Sequence, residues 1–98
     1  MTKKSIRLYS NPAEVYRQAS KYLGKTAKIS LSTKKEKKYM VVTPDGKIVH
    51  FGQMGYEDYT KHKNKTRRKN YLKRSRRIKG NWKKNKYSPN NLSIHLLW

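Results

Sequence analysis

No Asp or Glu follows Asp58, yet 14 Lys and Arg side chains fall between Lys61 and Lys86. This separation of charge constrains the fold more than any other feature. Like charges three or four apart on a helix repel, and no local carboxylate is within reach to relieve them. The segment must be held by a thin apolar seam, by groups from the other half of the chain, or by an external anion. Residues 1–58 hold 12 basic and all five acidic side chains, a net of +7. The whole chain carries +21 over 98 residues. A compact domain with that charge repels itself, and a polyanion relieves the repulsion.

The length suits one domain, residues 1–98, near the low end of what folds alone. Apolar residues make up 34% of the chain, so the core must be small. The eight tyrosines and two tryptophans are expected to supply much of it, since Tyr packs well with its hydroxyl at a wet edge. No run of about 18 apolar residues is present, which excludes a membrane-spanning helix. Met1-Thr2-Lys3-Lys4-Ser5 lacks the apolar stretch of a signal peptide, and the expectation is a protein that is not secreted. The absence of cysteine rules out disulfides and thiolate metal sites.

Ser5–Tyr9 reads as a short strand with Ile6 and Leu8 on one face. Asn11-Pro12-Ala13-Glu14 then starts a helix: Asn11 caps, Pro12 suits the first position, and Glu14 has capping-box spacing. Val15, Tyr16, Ala19, Tyr22 and Leu23 form its apolar stripe, and Gly24 stops it. Ala27, Ile29 and Leu31 alternate with polar residues as in a half-buried strand. Tyr39–Thr43 and Lys47–Phe51 flank Pro44-Asp45-Gly46, a hairpin signal. Tyr56, Tyr59 and His62 have helical spacing. The spacing predicts a second long helix from about residue 65 to 77, with a seam of Tyr71, Leu72, Ser75 and Ile78 and an end at Gly80. Ser88-Pro89 reads as a cap and first helical residue, and the apolar tail from Leu92 to Trp98 is expected to dock on the core.

The basic segment carries the chemistry. Cations placed along a rigid element neutralise several phosphates together and release condensed counterions, and guanidinium forks match phosphate geometry. The expected contacts are Arg67, Arg68, Lys73, Arg74, Arg76, Arg77, Lys79, Lys83 and Lys84. Trp82, in a lysine-rich loop, either wedges into a groove or stacks on a base, or else folds back under its own loop. Trp98 is expected to join the core. A calmodulin-like or membrane-surface role needs a wider apolar face than this helix offers.

Enzymatic signatures are missing from the sequence. His50, His62 and His95 with Glu57 and Asp58 show no metal-ligand spacing. There is no Gly-rich phosphate loop or nucleophile elbow. Lys47–Gln53 is weakly similar to a strand of hairpin-type homing nucleases, but lacks their paired tyrosines and downstream acid. The expectation is a binding protein without cofactor or catalytic residues.

Four ordered blocks resemble a family of small proteins of large double-stranded DNA viruses. They are His50–Lys63, Arg67–Arg74, Ile78–Lys83 and Tyr87–Leu92, so that the resemblance covers about residues 39–98. It implies a viral setting, in the virion interior or in a viral factory or nucleus of the host cell, and carries no activity. Lys65, Arg76, Arg77 and Lys84 stand where that family is expected to be acidic or neutral. The order of a strand, an alanine-containing helix and a hairpin ending Ile48-Val49-His50-Phe51 is more weakly similar to the archaeal methanogen chromosomal protein.

The expected architecture is α+β: a small, mostly antiparallel sheet, an N-terminal helix against it, a basic helix and a packed C-terminal segment. The expected function is sequence-tolerant binding and compaction of double-stranded DNA by phosphate contacts, with RNA as another possible target. The other reading is a minor capsid or scaffold protein whose basic face meets acidic virion proteins or the genome.

Overall fold

The computed structural model describes residues 5–98; Met1–Lys4, most of the segment examined for a signal peptide, lie outside the described residues. Among those described, four α-helices and a three-stranded antiparallel sheet form an α+β domain. Helix α1 spans Pro12–Leu23. Asn11 Oδ1 accepts the Glu14 N–H at 3.4 Å, Pro12 takes the first turn, and Gly24 ends the helix at φ +103°. Strands β1 (Lys28–Leu31), β2 (Lys37–Val42) and β3 (Ile48–Gln53) pair in sequence order. The β2–β3 turn needs a left-handed residue, which Gly46 supplies at φ +85° while its N–H donates to the Thr43 carbonyl at 2.9 Å.

Register places the core face. Tyr39 lies opposite both Leu31 and Phe51, and Val41 opposite both Ile29 and Val49. Because side chains alternate along a strand, these six share one face. Val15 and Ala19 of α1 meet that face, with Tyr16 edge-on to Tyr39 at 6.2 Å. The C-terminal segment fills the rest. Ser88 caps α4 (Pro89–Leu92), which continues as a π-helical stretch, Ser93–Leu97. Leu92, Leu96 and Leu97 are buried in the same cluster, where the segment packs on α1 and β3.

Three local expectations change. Ser5–Tyr9 is not a strand: Ile6–Leu8 forms a 3-10 turn in which Ile6 is buried and Leu8 is exposed. The Ile6 carbonyl accepts the N–H of Tyr9 and of Ser10, and the Tyr9 carbonyl accepts the Asp58 N–H, so these groups have partners other than a strand ladder. The second long helix, α3 (Lys65–Arg76), stops before Gly80. Its last turn tightens through Arg77 N–H to Arg74 and Ile78 N–H to Ser75, which swings Ile78 off the seam into solvent. Tyr56 lies outside the short helix α2 (Tyr59–His62) and is 69% exposed.

Candidate nucleic-acid interface

Helix α3 begins at an Asn64 cap, whose Oδ1 accepts the Arg67 N–H at 3.1 Å. Lys63, at φ +55°, turns the chain sharply between α2 and α3. Few groups hold α3 to the domain, and they share one side. Leu72 and Ser75 are buried, Tyr71 stacks on Trp98 at 4.2 Å, and the Ser75 carbonyl accepts Asn90 Nδ2–H at 3.0 Å. Arg68 belongs to this side too. Its Nε donates to the Trp98 backbone oxygen at 2.6 Å and its guanidinium lies 5.4 Å from the Tyr59 ring centroid.

With about 100° between successive residues, the opposite side of α3 is set. Lys69, Lys73, Arg74 and the capping Arg77 occupy the outward half, Arg76 lies at its edge, and Lys65 is in line with Leu72 seven residues on; all six are exposed. Arg67 sits at the border, 3.3 Å from Glu57. Seven cations over a helix of about 18 Å give one charge per roughly 2.6 Å, a density approaching the one phosphate per about 1.7 Å of duplex DNA.

The basic loop after α3 is pinned from below. Buried Asn91 points Nδ2 at three loop carbonyls, Trp82 at 2.8 Å, Asn85 at 2.9 Å and Lys83 at 3.3 Å. Ser88 Oγ adds a bond to the Trp82 carbonyl at 2.9 Å. These contacts fix the backbone so that Lys83 and Lys84 project into solvent, as does Lys79 ahead of them. Trp82 sits in a 3-10 turn, half-buried, with its indole N–H donating to the Ile78 carbonyl at 2.6 Å and Lys83 over its ring. That N–H is used internally.

Charge compensation is sparse here. Among the described residues, Lys63 and Arg67 are the two cations between Lys61 and Lys86 that have a carboxylate within ion-pair distance. Glu14, the partner of Lys63, also binds Arg17 at 2.7 Å, and its carboxyl is held below the usual value, chiefly by the Gln18 hydrogen bond. Asp58 is buried with Lys38, and Asp45 lies beside Lys47 at the hairpin. The acids therefore leave the outward face of α3 unneutralised.

A buried polar chain holds the start of α2. Lys38 Nζ donates to Asp58 Oδ2 at 3.0 Å. Asp58 Oδ1 accepts the Thr60 hydroxyl, so Ser10 is the donor in the 3.3 Å Ser10–Thr60 contact. Ser10 in turn accepts from Tyr39 OH at 2.7 Å. Burial pushes the Tyr39 hydroxyl well above its ordinary pKa and pulls the Lys38 ammonium down against the opposing pull of Asp58.

Of the contact residues read from the sequence, Lys73, Arg74, Arg76, Arg77, Lys79, Lys83 and Lys84 are displayed to solvent with no carboxylate beside them among the described residues. Arg67 and Arg68 are drawn toward protein groups. Lys69 joins the outward face, and helical phase alone could have added it. Asn91 and Lys38 gave no signal in sequence, because their roles depend on distant segments. Trp98 is half-buried at the core edge. His50, His62, His95, Glu57 and Asp58 do not assemble a metal site: among the described residues no three His, Cys, Asp or Glu are grouped to hold an ion. No helix of the described residues is long and apolar enough to cross a membrane.

No curated protein and no solved structure matches the chain. A family model described as a family of unknown function (DUF5754) matches residues 27–75, half of the chain, from β1 through most of α3. With the sheet, α2 and the anchored side of the basic helix all inside that match, the chain belongs to the DUF5754 family.

Proposed function

We propose that the protein binds nucleic acid chiefly through phosphates and acts as a sequence-tolerant architectural protein that compacts DNA. The observation that carries this reading is the exposed surface of α3 and its end: six exposed Lys and Arg side chains without a carboxylate partner among the described residues. Such a face neutralises several phosphates at once, and the released counterions drive binding. Contacts of this kind position a protein without reading sequence. Arginines on the same face also favour a narrow minor groove, which adds a shape preference. Packaging of the genome of a large double-stranded DNA virus is the setting that the four sequence blocks support.

The test is binding to a random-sequence duplex titrated from low to high salt, with an acidic protein as competitor. A log–log slope of about −5 to −8 corresponds to roughly six to nine phosphates contacted. Negligible duplex binding at physiological salt, with the acidic protein still bound, would assign the charge to a protein partner such as an acidic shell component.

A further inference from the structure

A concavity of about 880 Å³ opens along one side of α3, between that helix, β3 and the C-terminal segment. Its volume is in the range of small-molecule sites. The α3 residues that line it, Arg67, Asn70, Tyr71 and Arg74, have the i, i+3, i+4, i+7 spacing of one helical stripe. That stripe lies between the anchored side of the helix and its outward cationic half. The groove is therefore continuous with the phosphate-binding face.

We propose that this groove takes an unpaired base of a single-stranded segment whose phosphates run along the outward face of α3. The inference rests on the phosphate-binding reading above and adds a single-stranded segment to the duplex that the same face holds. Three sets of groups recognise such a base. Tyr71 and Trp98 form a ready stack, with rings 4.2 Å apart and 10° from parallel, and no other described ring lies against Tyr71. Tyr56, 69% exposed, adds a third aromatic wall. A base has a π-face whatever its identity, so stacking of this kind tolerates any sequence.

The polar groups are placed for a base and its phosphate. The Asn70 side chain makes no hydrogen bond to another described residue, so both halves of its amide are available to a base edge. Glu57 partly neutralises Arg67 at 3.3 Å, whereas Arg74 has no carboxylate partner among the described residues. Arg74 is thus the cation for the phosphate of the inserted nucleotide. A free mononucleotide would use the groove but leave Lys69, Lys73 and Arg77 on the outward face without anions. A strand satisfies both together, and a fully paired duplex keeps its bases out of the groove.

The experiment compares three labelled ligands at physiological salt: a 12-residue oligothymidylate, an abasic strand with the same phosphates, and a random duplex. Tyr56→Ala and Asn70→Ala remove no charge, and both positions are exposed, so folding and phosphate binding are preserved. The full protein is expected to bind the oligothymidylate about five- to 150-fold more tightly than the abasic strand, the range for one base on an aromatic ring. Both variants should close most of that gap and leave abasic and duplex affinities within about twofold. In a Trp82→Phe background, the oligothymidylate should quench the Trp98 fluorescence and the abasic strand should not. Equal binding of the two strands by the full protein, or a gap that both variants leave intact, overturns the base site while duplex binding still stands. Failure of all three ligands to bind overturns the phosphate reading and the base site with it.

Discussion

Lys38 Nζ donates to Asp58 Oδ2 at 3.0 Å, and both side chains are almost wholly shielded from water, at 2% and 1% exposure. The pair joins the start of β2 to the loop that begins α2, and through Thr60, Ser10 and Tyr39 it reaches back to the N-terminal turn. A chain with five acids and 26 bases thus places one acid in the interior, where it holds a lysine drawn out of solvent. Burying two ions is unfavourable by itself, so the pair holds the geometry of this junction more than it adds net stability.

Breaking the pair from one side should therefore be severe. Asp58→Asn leaves an uncompensated buried ammonium, and Lys38→Met leaves a buried carboxylate. Each is expected to lower the unfolding free energy by about 3–5 kcal/mol in urea titrations. The double variant should be less destabilised than the sum of the singles, because neither charge is then left alone. Strict additivity would show that the pair is not coupled.

Gly52 is the glycine that the fold can least replace. Its φ is +82°, and a Cβ there would stand 3.0 Å from Leu97 Cδ1 and 3.1 Å from Lys38 Cβ. Gly52→Ala combines left-handed strain with overpacking and should cost about 2–4 kcal/mol. Gly46→Ala, at φ +85° with nothing within 4 Å, should cost about 1–2 kcal/mol. Comparing the two variants by thermal unfolding separates steric crowding from backbone strain.

Acid should destabilise the protein through His62. Its Nδ1 accepts the Asn64 N–H at 2.9 Å, which leaves the proton of the neutral ring on buried, unpartnered Nε2. Burial, then the Arg67 charge, lower its pKa from the ordinary 6.5. With the folded value depressed, the unfolded chain takes up the proton first, so stability is lost as pH falls through 6.5 toward the folded value. Urea midpoints should drop between pH 7.5 and pH 5, and His62→Gln should flatten part of that drop. His95, lowered by burial and by Arg76, accounts for a further share.

The outward face of α3 should dominate the salt dependence of DNA binding. Lys69→Gln, Lys73→Gln and Arg77→Gln together are expected to reduce the log–log slope by about 2 to 3. Lys25→Gln and Lys28→Gln, exposed near the start of β1, should change it by less than about 1. Equal effects of the two sets would mean that binding follows net charge alone, without an oriented face.

Elements whose signals are local can be read directly from the chain. Asn11-Pro12 and Gly24 mark α1, Pro44-Asp45-Gly46 marks the hairpin, Ser88-Pro89 starts α4, and the unbroken run from Lys65 makes a helix. Each depends on backbone preferences within a few residues. That the basic segment lacks acids of its own is likewise a matter of composition. The fold as a whole set which side of α3 faces out, because Leu72 is buried and Ser75 and Arg68 bond to the C-terminal segment. It decided that Ser5–Tyr9 turns back on itself, since its backbone groups find partners in Ser10 and Asp58 and not in a strand. It placed Asn91 under the basic loop and Lys38 beside Asp58. Such contacts join residues far apart in the chain, and their energies depend on burial and distance, quantities that exist only once the chain has closed on itself.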